Sequence, residues 1–173
     1  MALLRGVNLG SRNRIAMADL RALVGEVGED VQTYVQSGNV VFRSKAKAAA
    51  LAKAIEKSIK DALGLDVTVL LRTRRQLTDV MRRNPFDTAG VDPTKLHVTF
   101  LAETPSRDRV RSLSAQRFEP DEFDVVRREV YLLCPKGYGR SKLSNMFFER
   151  QLAVAGTTRN WRTVTKLAEL ANG

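Results

Sequence analysis

The chain is poor in the residues that usually betray a chemistry. It has one cysteine, Cys134, and one histidine, His97, in 173 residues. A lone cysteine cannot close an internal disulfide, which fits a reducing compartment. One His and one Cys cannot supply a structural zinc site. No stretch approaches the ~18 consecutive apolar residues of a membrane helix. The opening Met1–Gly6 is too short and too soon charged for a secretory signal. There is no Walker A loop and no G-x-G-x-x-G fingerprint. The expectation is a soluble cytoplasmic protein with no membrane association, no cofactor and no metal. The oligomeric state stays open.

Aromatic residues are only 6% of the chain. That bears on RNA binding, because the RRM fold stacks bases on aromatics of its two central strands. The candidate first strand, Leu3–Val7, has none, and the third, Asn39–Phe42, has only Phe42. Neither matches the RRM pattern.

Positive charge and apolar residues are what the chain does have. Hydrophobic content is 43%, enough for a real core, and the net charge is +10 from 29 basic and 19 acidic side chains. Such a surface attracts phosphates and polyanions. The surplus gathers near the end: residues 136–173 hold seven basic groups against two acidic ones, a local charge of +5.

The order strand–helix–strand–strand–helix–strand occurs twice. In the first pass, strands are expected at 2–8, 31–36, 39–43 and 66–72. Helices are expected at 17–27 and 46–63, the latter stopped by Gly64. Leu20, Leu23, Val24 and Val27 recur at helical spacing. Thr73 and Gln76 form a capping box that opens a connecting helix to Arg83, and Asn84-Pro85 ends it. Residues 85–94 read as a linker. The second pass places strands at 95–101, 122–127, 129–134 and 154–159. Its helices run from a Thr104-Pro105 start to 116 and over 141–152, and Asn160 caps a terminal helix. The expected fold is α+β, a tandem duplication of ferredoxin-like (βαββαβ) subdomains with antiparallel sheets. The subdomains are 1–72 and 95–173, with 73–94 connecting them and a C-terminal helix closing the chain.

His97 lies in an alternating strand and Cys134 in an apolar one, so both read as structural. Glu119, Asp121, Glu122 and Asp124 form a tight acidic cluster; Glu122 and Asp124 share a strand face, as a metal or acid/base pair would, but a solvated face with Phe123 and Val125 turned inward is the favoured reading. Three polar clusters remain. Arg5-Gly6-Val7-Asn8 interrupts the first strand with a glycine. Gln36-Ser37-Gly38-Asn39 has the residues of a tight hairpin. Lys136-Gly137-Tyr138-Gly139-Arg140-Ser141-Lys142 leads from a strand towards a helix, and glycine-freed amides beside cations suit a phosphate or carboxylate. Thr157-Thr158-Arg159-Asn160-Trp161 adds a further guanidinium, a capping amide and the only Trp.

Taken together, Ala-Leu-Leu-Arg-Gly-Val-Asn at 2–8, Tyr-Val-Gln-Ser-Gly-Asn-Val-Val-Phe at 34–42, Gly-Arg-Ser-Lys-Leu-Ser-Asn at 139–145 and Thr-Thr-Arg-Asn-Trp at 157–161 resemble the bacterial family called domain of unknown function 1697. The resemblance spans nearly the whole chain and implies a tandem pair of ferredoxin-like subdomains. It implies no activity. The family's recurrent polar motifs match Arg5, Asn8, Ser37, Asn39, Lys142, Arg159 and Asn160. Members usually carry a few residues before Ala-Leu-Leu-Arg, so strand one is expected to be shortened at its outer end.

The leading expectation is a protein that binds a phosphate-bearing or other anionic ligand. Arg140, Lys142 and Arg159 would supply charge. Arg5, Ser37 and Asn39 would complete the site if the halves meet there, Ser37, Asn39 and Asn160 would orient the ligand, and Asn8 is counted among the ligand-binding residues. Tyr138 or Trp161 could cover a flat ring. The alternatives are nonspecific nucleic-acid association through the basic surface and a phosphoryl- or nucleotidyl-handling enzyme. For the enzyme, no carboxylate pairs in sequence with the polar motifs.

Overall fold

The computed structural model describes residues 1–10, 13–86 and 88–173. Ser11 and Arg12, from the loop expected at 10–13, and Asp87, from the expected linker, lie outside the described residues. The chain divides into two compact units, Met1–Leu77 with Leu167–Gly173, and Thr78–Lys166.

The first unit has strands β1 (Ala2–Leu4), β2 (Glu29–Tyr34), β3 (Asn39–Arg43) and β4 (Val69–Leu71), with helices α1 (Met17–Gly25) and α2 (Ala48–Leu63). Its sheet has the order β2-β3-β1-β4, and every pairing is antiparallel. Leu20 and Val24 of α1 and Leu51, Ile55 and Ile59 of α2 pack with Ala2, Leu4, Val40 and Val69 into one core. The helical apolar spacing therefore faces the sheet, as the sequence implies. Each fully buried Leu or Ile contributes about 1.5–3 kcal/mol.

The second unit repeats the plan. Strands β5 (Leu96–Leu101), β6 (Glu122–Val126), β7 (Glu129–Leu133) and β8 (Gly156–Asn160) form a sheet of order β6-β7-β5-β8, again antiparallel throughout. Helices α4 (Arg107–Ser114) and α5 (Asn145–Leu152) cover one face. Leu113, Leu143, Phe148 and Leu152 meet Leu101, Leu132 and Cys134 there. α3 (Arg74–Arg82) follows the first sheet, and α6 (Trp161–Asn172) ends the chain. The fold is thus α+β, with two ferredoxin-like four-stranded sheets.

Several boundaries move, each for a local reason. β1 ends at Leu4 instead of Asn8, because Gly6 and Asn8 adopt left-handed φ values of 66° and 54°. Helix α4 is capped by Ser106, whose hydroxyl accepts from Arg109 N–H, and not by Thr104. α5 begins at Asn145 under a Ser144 cap, four residues later than its composition suggests. Gly28 follows α1 without a left-handed cap. Its role is clearance, since a Cβ there would lie 2.5 Å from the Phe42 ring.

Other signals match the structure. Gly64 caps α2 at φ 69°. Thr73 N–H donates to Gln76 Oε1 at 2.9 Å, and Gln76 N–H to Thr73 Oγ1 at 3.2 Å, closing the capping box. Glu122 and Asp124 are exposed, while Phe123 and Val125 turn to the core. Among the described residues no helix is long and apolar enough to cross a membrane, and no cluster of metal-ligating side chains occurs.

Candidate functional site

The polar motifs pair up within each unit. In the first, the strand-one motif meets the hairpin motif. Leu4 N–H donates to Gly38 O at 2.8 Å. Asn8 uses its whole side-chain amide: Nδ2 donates to Ile15 O at 2.9 Å and to Gln36 O at 2.7 Å, and Oδ1 accepts from Ile15 N–H at 2.9 Å. Asn39 is fully buried, and its Nδ2 donates to Tyr34 O and Ser37 Oγ. Asn8, Ser37 and Asn39 thus clamp a turn to a strand end. Gly38 allows the approach, because a Cβ there would sit 2.5 Å from a Val7 methyl. Arg5 follows β1 with an exposed side chain, and its amide donates to Thr68 O.

In the second unit the two late motifs also meet. Asn145 Nδ2 donates to Gly156 O at 3.1 Å, and Thr158 Oγ1 donates to Asn145 Oδ1 at 3.1 Å. Thr99 and Thr158 hydroxyls are 2.8 Å apart. Tyr138 stacks on His97 with ring centroids 4.7 Å apart. Asn160 caps α6, its Oδ1 accepting from Arg162 N–H at 2.9 Å. Trp161 is buried and cannot cover a ligand from solvent.

The sheet register decides which cations share a surface. His97 pairs with Asn160, and Thr99 with Thr158. Their side chains lie on the α5 face, under Tyr138. Val98 pairs with Arg159, one residue out of phase. Alternation therefore sends Arg159 to the reverse face. There it is 7% exposed, and its Nη1 donates to Thr157 Oγ1 at 2.7 Å and Thr158 O at 2.9 Å. Burial lowers its guanidinium to about 10, still charged at neutral pH. Arg140 and Lys142 are exposed on the loop that covers the opposite face. The expected gathering of Arg159 with Lys142 in one pocket does not occur.

The loop itself is firmly held. Gly137, at φ 92°, starts a 3-10 turn over Tyr138–Arg140. Ser141 N–H donates to Tyr138 O, and Leu143 N–H to Ser141 Oγ at 3.0 Å. Leu143 is anchored in the core. Arg140 therefore ends the 3-10 turn, with Lys136 before it and Lys142 after it, and none of the three lies in the first turn of α5. Among the described residues Lys136, Arg140 and Lys142 form no ion pair.

Neither special side chain is a nucleophile in waiting. The Cys134 thiol is buried, and desolvation pushes it up, with the Ser141 hydroxyl beside it only partly opposing this. His97 is 8% exposed, and its Nδ1 has no hydrogen-bond partner among the described residues. Burial holds its protonation below the ordinary range. The Lys95 backbone offsets this in part, but not in true hydrogen-bond geometry.

Sequence reasoning missed the roles of Thr99, Asn145 and Thr158, because their link depends on strand register and helix placement. Comparison with known proteins then agrees with the motif reading. The model of the family described as protein of unknown function (DUF1697) matches residues 1–131. Among solved structures, a conserved bacterial protein, SP0830 from Streptococcus pneumoniae, is similar at a TM-score of 0.76 and 20% identity, over 98% of this chain and 96% of that one. At that identity the likeness shows the fold. No curated protein matches. The motifs, the doubled sheet and the family match together place this chain in the DUF1697 family.

Proposed function

We propose that the protein binds a phosphate-bearing or other anionic ligand at the 136–142 loop of its second unit. The supporting observation is that Lys136, Arg140 and Lys142 are exposed, lie within seven residues, and have no ion-pair partner among the described residues. Tyr138 pinned on His97 fixes the base of the loop. A preformed cationic loop loses little conformational freedom on binding. Arg140 and Lys142 are the primary contacts in this reading. Asn8, Ser37, Asn39, Asn160 and Arg159 act as braces of the fold, and Arg5 stays an exposed cation of the first unit. The test is thermal shift with pyrophosphate and a nucleotide panel. A saturable rise in Tm is expected, lost in Arg140→Ala and Lys142→Ala. A panel with no shift at all sinks the reading.

The net charge of +10 favours a second reading, nonspecific association with nucleic acid. Its mark is affinity that falls steeply with salt and tolerates any base sequence. Affinity unchanged between low and high salt excludes it.

A further inference from the structure

We propose that the first unit carries a separate binding site, a cavity at the carboxyl ends of β3 and β4, for a small organic anion with an apolar body. β3 and β4 both run antiparallel to β1. They are therefore parallel to each other, and their carboxyl ends fall at the same end of the sheet. β3 ends at Arg43 and leads into α2; β4 ends at Leu71 and leads into α3. Between these exits lies a cavity of about 350 Å³, within the usual range for small-molecule pockets.

Its lining has two characters. Phe42, Leu51 and Leu71 supply apolar surface, and Arg43, Arg72 and Arg74 supply charge. No Asp or Glu lines it. Arg72 is 2% exposed, and its Nη1 is held by Leu71 O at 3.0 Å, so that guanidinium is fixed in place. Arg43 and Arg74 stand exposed at the rim. Arg43 has a companion, Asp30, at 3.3 Å, but both side chains are mostly solvated, at 72% and 63% exposure. Such a pair is weak and readily displaced. The first turns of α2 and α3 open beside the cavity, and neither contains an acidic residue. Their dipoles place partial positive charge beside the arginines. Placed side by side, cations and apolar wall select a ligand with both an anionic end and an apolar body.

The test uses the full chain and three probes at low ionic strength: phenyl phosphate, inorganic phosphate and benzyl alcohol. Phenyl phosphate should bind saturably, at least about tenfold tighter than either other probe, since apolar burial and charge then act together. Arg43→Ala with Arg74→Ala should weaken it about tenfold or more. Ala48→Leu should do the same by filling the cavity mouth. Ala48 is exposed at the first position of α2, so the larger side chain leaves the core untouched. Equal binding of phenyl phosphate and inorganic phosphate would overturn the proposal. So would binding that survives all these substitutions, or is lost only in Arg140→Ala and Lys142→Ala. Failure here leaves the loop of the second unit unaffected as a candidate, because the two sites share no residue.

Discussion

Arg159 and Tyr138 lie against opposite faces of the same four-stranded sheet. Tyr138 stacks on His97, while Arg159 sits beside Val98, one residue out of phase on the neighbouring strand. Two arginines that look alike in the sequence, Arg140 and Arg159, therefore have different work. One is solvated beside the Tyr138 turn, and the other is a buried charge that organises Thr157 and the β8 backbone.

Arg159→Ala should consequently unfold the protein more easily instead of selectively abolishing ligand binding. Losing a buried, hydrogen-bonded side chain of this size should cost about 2–4 kcal/mol. Urea unfolding measures this. A stability loss below about 0.5 kcal/mol would mean the residue is a surface cation after all.

Gly38 and Gly64 offer a clean comparison, because both have positive φ, 74° and 69°. A Cβ at Gly64 meets nothing within 4 Å, whereas at Gly38 it would lie 2.5 Å from Val7 and 2.8 Å from Leu4. Gly64→Ala should cost about 1 kcal/mol from the left-handed conformation alone. Gly38→Ala should cost about 1–3 kcal/mol more, from overpacking. Equal losses would show that the hairpin relaxes away from strand one.

Asn8 tolerates φ 54° and makes three hydrogen bonds through one amide. Asn8→Asp keeps the shape and removes both donors, so it should destabilise by about 1–3 kcal/mol. Hydrogen exchange at Ile15 N–H, which donates to Asn8 Oδ1, should separate this variant from Asn8→Ala. The acceptor survives in the first and is gone in the second.

His97 gives the chain a pH dependence with a definite sign. Its folded pKa lies below the ordinary histidine value, about 6.5, because burial disfavours the imidazolium. The unfolded chain then binds the extra proton between the folded pKa and 6.5. Stability from this residue is full above that window and falls as pH drops through it. As the only histidine, it can be assigned without ambiguity. His97→Gln should flatten the slope of unfolding free energy just below about pH 6.5. An unchanged slope would place the titrating group elsewhere.

How far the sequence reads ahead depends on distance along the chain. Gly64, the Thr73–Gln76 box and the Asn160 cap are short-range devices, and each sits where its residues indicate. The doubled strand order is legible for the same reason, because hairpin turns and helix periods are local. The start of α5 is misread because Ser141 and Ser144 are both competent caps, and core anchoring of Leu143 decides for the later one. The face on which Arg159 falls depends on register against β5, sixty residues away, and a shift of one residue reverses it. Arg43 and Arg74 line one cavity only because β3 and β4 both flank β1, and nothing local joins those positions.

The most direct test is a titration of isotope-labelled protein with pyrophosphate at low salt, followed by amide NMR. Anion binding at the 136–142 loop should give saturable shifts centred on Gly137, Tyr138, Gly139 and Lys142, abolished together by Arg140→Ala with Lys142→Ala. Shifts absent from that loop, or unchanged in the double variant, would contradict it.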